Sequence, residues 1–305
     1  MSHVVYHHQV SQSIESRLIH FFMGLFGMKR AMEKKIVNNH YRKKPASIPK
    51  SFFRKFNIEV VKYSNRRVWT ISPGYSAGNT VILFLHGGAY YANINRLHWT
   101  LIKKLINSTN TTFIVPDYPL APECTYEDTY HFLDTVYANL ISDYSSKQIV
   151  FMGDSAGGGL ALGFAQKIRN EDIKQPSEIF LCSPWLDVSM ENPEIARFDK
   201  RDKILNVNGL KIAGKNYAGD LDLTDYRVSP LYGDFTKLGK ISIFIGTNEI
   251  FIADARKLKE SLKQQNIGFN YFEYPGMFHD WILISILKET KDAIKKIVDR
   301  LYFMN

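Results

Sequence analysis

The 305-residue chain has 45% hydrophobic and 23% charged residues, the balance of an ordinary globular protein with material for a sizeable core. A formal charge of +9 raises the question of a polyanion partner, but the lysines and arginines are spread along the sequence and no nucleic-acid-binding pattern occurs. The basicity therefore reads mainly as a solubility feature, with weak attraction to anionic surfaces.

Residues 1–50 read as mostly helical and basic, with the densest charge at Lys29-Arg30, Lys34-Lys35 and Arg42-Lys43-Lys44. Within them, residues 18–28 (LIHFFMGLFGM) come nearest to a membrane segment. The stretch is too short to span a bilayer, contains His20, and lacks a basic leader and a small-residue cleavage site. It predicts a helix with a greasy face. Membrane contact is not expected, though whether that face covers protein or touches lipid stays open. The Pro-containing break at 43–49 marks the boundary between an N-terminal helical part, 1–45, and a main domain, 46–305.

An alternation follows. Residues 57–63 and 67–72 predict a strand hairpin, and 80–85 (TVILFL) a strand buried on both faces. Helix 96–108, strand 111–116, helix 126–144, strand 148–152, helix 158–167 and strand 178–183 come next. Residues 184–240 break the rhythm with polar sequence and at most short helices, which reads as an insertion. The pattern resumes with strand 240–246, helix 252–265, strand 269–274 and a last helix over 281–301. Strands alternating with helices predict an α/β fold with a mostly parallel sheet covered on both faces. Two cysteines, Cys124 and Cys182, are too few for a disulfide framework, and no Cys/His cluster has metal-ligand spacing. A reduced, cytoplasmic setting is expected, with no metal, no cofactor and no nucleic-acid partner.

The chemistry centres on Gly153-Asp154-Ser155-Ala156-Gly157, a G-x-S-x-G run between a predicted strand and helix. Such a turn pushes the serine outward at the end of the strand, and flanking glycines let its two arms pass closely. Serine needs a base, an acid to hold the base, and donors for the oxyanion. His86-Gly87-Gly88-Ala89-Tyr90 follows a buried strand, so Gly87 and Gly88, with Ala156, are the candidate donors. The His86 ring is expected to shape that turn and not to transfer protons. Of nine histidines only His279 lies downstream of Ser155, where the order serine, acid, histidine puts the base. Glu249, just past strand 240–246, is the expected acid, with Asp254 its main rival. Asp280 is not expected to turn back onto its neighbour's imidazole.

Together His86-Gly87-Gly88, residues 118–123 (YPLAPE), residues 153–158 (GDSAGG) and residues 274–279 (YPGMFH) resemble the hormone-sensitive-lipase-like branch of the α/β-hydrolases, which includes bacterial carboxylesterases and acetyl esterases. The likeness runs from about Val81 to the C-terminus. Two departures stand out: glutamate where the branch usually has aspartate at 249, and Ala89 in place of a third glycine. The resemblance implies an α/β-hydrolase fold with a helical cap made by residues 1–45 and an insertion at about 187–226. Phe21, Phe22, Met23, Leu25 and Phe26 would then roof an acyl pocket or cement the cap's own helices. Tyr90, Trp185, Phe251, Met277 and Phe278 flank the motifs as candidate walls. The implied activity is hydrolysis of small to medium acyl esters by Ser155, His279 and Glu249. The alternatives are longer lipid esters, amide or acetyl groups, or a non-catalytic binding role. Relatives of this branch often dimerise through the last strand and helix, so the resemblance admits a homodimer.

Overall fold

The computed structural model describes residues 3–41, 43–75 and 77–303; Arg42 of the third basic cluster lies outside them. Its strands are β1 (Val4–His7), β2 (Phe56–Tyr63), β3 (Arg66–Pro73), β4 (Thr80–Leu85), β5 (Thr112–Pro116), β6 (Gln148–Asp154), β7 (Glu178–Cys182), β8 (Lys240–Gly246) and β9 (Phe269–Tyr274). The helices are α1 (Ile14–Leu25), α2 (Met28–Val37), α3 (Arg96–Thr109), α4 (Tyr126–Asp143), α5 (Ala156–Asn170), α6 (Ile195–Asp199), α7 (Val207–Ala218), α8 (Ile252–Gln264) and α9 (Lys288–Phe303).

All the strands join one sheet in the order β1-β9-β8-β7-β6-β4-β5-β3-β2. The β2–β3 hairpin and the β3–β5 pair are antiparallel, and every other pair is parallel. The reason is visible in β4, whose residues are all buried. Val81, Leu83 and Leu85 face one core, shared with α4, α5 and α8, while Ile82 and Phe84 face another, shared with α3 and α9. A strand apolar on both sides is satisfied only between two helical layers. Parallel strands also place their C-terminal ends along one edge, where the loops after β4, β6, β8 and β9 meet.

Three features depart from the sequence reading. The N-terminal segment is not simply helical: Val4–His7 pairs in parallel with Asn270–Glu273 and adds a strand outside β9. Tyr6 packs on Phe272 and Tyr274, and the Lys296 ammonium sits over its ring. The edge of β9 through which a second copy would pair is thus occupied by the chain's own β1. The last helix starts at Lys288, not at 281. Trp281–Leu283 makes one 3-10 turn, and the Trp281 carbonyl accepts from Thr290 Oγ1 at 2.9 Å. Trp281, Ile282, Leu283 and Leu287 are all buried, so this run mimics helical spacing while packing as an irregular lap. Finally, the 184–240 excursion holds a twelve-residue helix, α7, whose inward Leu210, Ala213 and Tyr217 are diluted in sequence by Gly209 and Gly214. Those glycines seat α7: a Cβ on Gly209 would lie 3.2 Å from the Glu33 Cα of α2, and one on Gly214 2.6 Å from the Val188 carbonyl.

Candidate active site

Ser155 is the hinge between β6 and α5, with φ 52° and ψ −122°. That conformation is costly for a side-chain-bearing residue, and it persists because the surroundings impose it. The Ser155 N–H donates to the Cys182 carbonyl at 2.9 Å, and the Ser155 carbonyl accepts from Trp185 N–H at 2.9 Å and Gly158 N–H at 3.0 Å. The flanking glycines are sterically required. A Cβ on Gly157 would stand 2.0 Å from the Leu85 carbonyl oxygen, and one on Gly153 2.2 Å from the Gly157 carbonyl oxygen. The turn therefore packs backbone against backbone and leaves only the serine to project.

His279 follows β9 and meets Ser155 across the edge. Its Nε2 lies 2.9 Å from Ser155 Oγ and its Nδ1 2.8 Å from Glu249 Oε2. The loops carrying His279 and Glu249 are stitched together: Asn248 N–H donates to the Met277 carbonyl, Asn248 Nδ2 to the Gly276 carbonyl, and Gly276 N–H to Thr247 Oγ1. The other Glu249 oxygen, Oε1, accepts from Ser183 Oγ at 2.7 Å and Gly246 N–H at 2.9 Å. Glu249 is fully buried and these donors fix its orientation. Asp254 is elsewhere engaged. On the first turn of α8 it accepts from Asn192 Nδ2 at 2.7 Å, and burial pushes its carboxyl up to about 7.

Asp280 corrects the sequence reading. Its backbone is left-handed, at φ 56° and ψ 23°, and this folds the side chain back until Oδ2 lies 3.3 Å from His279 Nε2. Burial opposes a charge on His279, but Asp280 and then Glu249 outweigh it and hold the imidazole well above its ordinary value.

The His86–Tyr90 turn sits beside Ser155 because β4 neighbours β6, with Leu85 opposite Gly153. A Cβ on Gly87 would lie 2.3 Å from Asp154 Oδ2, and Gly88 has φ 129°, so neither position accepts a side chain. Among the described residues the Gly88 and Ala156 amides donate to no protein acceptor. His86 does shape the turn: its Nδ1 lies 2.9 Å from the Gly87 carbonyl and its ring stacks on Tyr118 at 4.3 Å. Burial and then the neighbouring His98 push it down to about 3, so it stays neutral. Asp154, the unremarked x of the motif, is buried and lies 3.0 Å from His98 Nε2. The Asn95 N–H donates to His98 Nδ1, which leaves the ring proton on Nε2, pointing at Asp154.

The candidate walls divide. Tyr90, Trp185 and Phe251 form a train of buried rings that ends edge-on at His279, 5.1 Å from Phe251. Tyr217 of α7, absent from the sequence-based set, stacks on Tyr90 at 3.6 Å. Met277 does not join them. It and Phe278 are buried in the core on the opposite face of the sheet. Two further residues escaped sequence reasoning. Ser183, at φ 44°, holds Glu249, and Asp202 in the insertion accepts from Ile250 N–H at 2.9 Å, pinning the loop that carries Glu249. Neither belongs to a motif. The only hint was their place, one just past a strand and one in a polar stretch otherwise lacking explanation.

A parallel sheet of this order, with a serine on the strand-to-helix turn facing an imidazole and a carboxylate, defines the hydrolases of α/β type. The α/β-hydrolase-fold family profile matches residues 82–283, and the chain belongs to that family. It is 29% identical over 227 residues to an esterase of Acinetobacter venetianus, covering 73% of this chain and 75% of that one. It is 31% identical over 236 residues to a Mycobacterium tuberculosis protein named as a candidate acetyl-hydrolase, covering 77% and 76% of the two chains. A Staphylococcus aureus structure described as a candidate esterase superposes with TM-score 0.78 at 29% identity, over 88% of this chain and 90% of that one. A hormone-sensitive lipase from a metagenome library shares the fold, with TM-score 0.80 at 21% identity over 95% and 98% of the chains. The resemblance drawn from the four motifs is thereby borne out.

Proposed function

We propose that the protein is a carboxylesterase that cleaves esters of small to medium acyl chains through an acyl-enzyme on Ser155. The observation that carries the reading is the unbroken relay from Ser155 Oγ to His279 to Glu249, at 2.9 and 2.8 Å. His279 Nε2 takes the hydroxyl proton as Ser155 Oγ bonds to the ester carbonyl carbon. The imidazolium then returns that proton to the departing alcohol. Water, deprotonated by the same nitrogen, releases the acid and regenerates the serine. Glu249 orients the ring through Nδ1 and stabilises its charged form without taking the proton. The tetrahedral oxygen is held by the amides of Gly88 and Ala156, a role supported by their acceptor-free N–H groups, whereas the Gly87 amide, also expected to serve here, is turned to the Asp154 carboxylate.

Asp280 adds a term of its own. In the neutral ring the Nε2 lone pair faces both Ser155 Oγ and the Asp280 carboxylate. That carboxylate disfavours the neutral ring and favours the imidazolium formed during attack. The cost is a ground state that holds its proton to higher pH, so the rate rises with pH on a limb above the ordinary histidine range.

The N-terminal helices and the insertion act as one cap. Support comes from α2 seated on α7, from Asp202 holding the Glu249 loop, and from Tyr217 stacked on Tyr90. The bulk of the buried ring train beside His279 supports a preference for short acyl chains. Ser155→Ala should lower kcat/KM on p-nitrophenyl acetate by roughly 10^4-fold or more with an unchanged circular-dichroism spectrum. An unaffected rate would end the proposal. Extending the ester series from acetate through butyrate to long chains should show rates falling with length, and a rise would favour the lipid-ester alternative.

A further inference from the structure

We propose that α1 is an interfacial anchor that docks the protein on an anionic lipid surface. Helix α1 carries an apolar stripe on its outer face. Ile14, Leu18, Phe21, Phe22 and Leu25 recur at helical spacing and form one stripe, and all of them are exposed, from 46% for Phe22 to 70% for Ile14. Phe26, just past the helix, is 76% exposed. An ordinary surface helix turns such a stripe inward. The face that α1 turns inward is mixed: Ile19 and Met23 pack against the core that α3 and α9 share, Ser16 is fully buried, and Ser13 N–H, Ser13 Oγ and Ser16 Oγ all donate to the Glu289 carboxylate of α9, at 2.7, 2.9 and 3.2 Å. These polar ties, with the Ile19 and Met23 contacts, set the helix orientation and leave the other apolar stripe toward solvent. Of the side chains expected to roof a pocket or cement the cap, Phe21, Phe22, Leu25 and Phe26 are exposed and Met23 packs inward.

The charge around the stripe says what covers it. Arg17 of α1 and Arg30, Lys34 and Lys35 of α2 are exposed and make no ion pair among the described residues, and each helix carries a single acid, Glu15 and Glu33. Beside the stripe lies a cavity of about 550 Å³ whose lining includes the cationic Arg17 and Lys203, the apolar Phe21 and Leu25, and the uncharged Gln12, with no acid among its lining residues. This combination suits the headgroup and upper acyl region of an anionic lipid layer. A second copy is a poorer occupant. Twelve residues of helix make a strip about 18 Å long and about 10 Å wide, far short of the roughly 800 Å² per partner of a stable interface. A two-fold contact along α1 would also set each Arg17 against like charge. No helix among the described residues is long and apolar enough to cross a membrane, and this mode of contact needs none.

The site also faces the chemistry. The His20 ring stacks on Phe278 at 5.7 Å, and Gln12 Nε2 donates to the Gly276 carbonyl, so the anchor rests on the loop that presents His279. The inference stands apart from the esterase reading and is tested without it. Full-length protein is sedimented with vesicles of pure phosphatidylcholine or of 70:30 phosphatidylcholine and phosphatidylglycerol. Binding to the anionic vesicles should exceed that to neutral ones about tenfold and fall on the order of tenfold between 0.05 and 0.5 M salt. Ile14→Ser with Leu18→Ser should lower it by roughly tenfold, since both side chains would insert. The same double variant should keep the wild type's circular-dichroism spectrum and cooperative thermal unfolding, which shows that it folds. The proposal is overturned if the wild type stays in the supernatant with anionic vesicles, or if the double variant binds them undiminished. It is equally overturned if sedimentation velocity finds a dimer that the double variant dissociates.

Discussion

The Ser155–His279–Glu249 edge and the α1 helix lie against each other, yet they are held by opposite means. At the edge nearly every group is buried, and backbone packing leaves no slack: Gly153 and Gly157 admit no Cβ, Glu249 has both oxygens engaged, and the loops before Glu249 and His279 are laced together. Helix α1 is attached through Ile19, Met23 and a few polar points, chiefly Glu289, Gln12 and His20, and leaves its outer apolar stripe uncovered. The first region is over-determined, as strained geometry requires. The second is tied at one face and open at the other, the arrangement of an element that meets something beyond its own chain.

The sharpest way to break this contrast is Gly157→Ala. Because its Cβ would lie 2.0 Å from the Leu85 carbonyl oxygen, the substitution should cost on the order of 4 kcal/mol or more and abolish activity, read from chemical denaturation and ester hydrolysis. A stable, active variant would show that the turn is not held as tightly as its packing implies. Next in size is the paired comparison of the two carboxylates. Glu249→Gln should lose roughly a thousandfold in kcat. Asp254→Asn should keep most activity and gain thermal stability at pH 9. The sign follows from burial: with its carboxyl pushed up to about 7, the folded chain binds a proton between about pH 4 and 7 that the unfolded chain releases, so stability falls as pH rises through that window. The opposite ranking would move the acid to Asp254.

A smaller effect is expected of Asp280→Asn. Its charge is the largest factor raising His279, so its loss should move the rising limb of kcat/KM to lower pH. A changed rate with an unmoved limb would leave Asp280 a merely structural neighbour. The mildest test falls on the other region. Glu289→Ala should cost about 1–3 kcal/mol locally, detected as faster amide exchange in α1 while the edge stays protected. Despite burial, the donors on Ser13 and Ser16 hold Glu289 below the usual carboxylate range. Its contribution is therefore present above the unfolded value and lost as pH falls, so α1 should loosen under acid before the sheet does.

Much of the strand pattern was legible because a strand buried on both faces must be apolar throughout, as β4 is, and because local chemistry marks a strand-to-helix turn, as Gly153 and Gly157 do. The positions of Ser155, His279 and Glu249 were readable for the same reason: each follows a strand that announces itself. The sequence alone could not say that Val4–His7 would pair with β9, since the partner lies some 265 residues away and four residues carry no pattern of their own. Nor could it assign Ser183, Asp202 and Tyr217, whose roles are contacts between loops that only the closed sheet brings near. Asp280 turned back onto His279 because of one left-handed backbone position, and Met277 went to the far face because β9 ends where it does. The greasy stripe of α1 was plain in the sequence. Which way it points was decided by hydrogen bonds to Glu289 at the other end of the chain and by the inward contacts of Ile19 and Met23, and a periodic pattern carries no information about the side on which its partner stands.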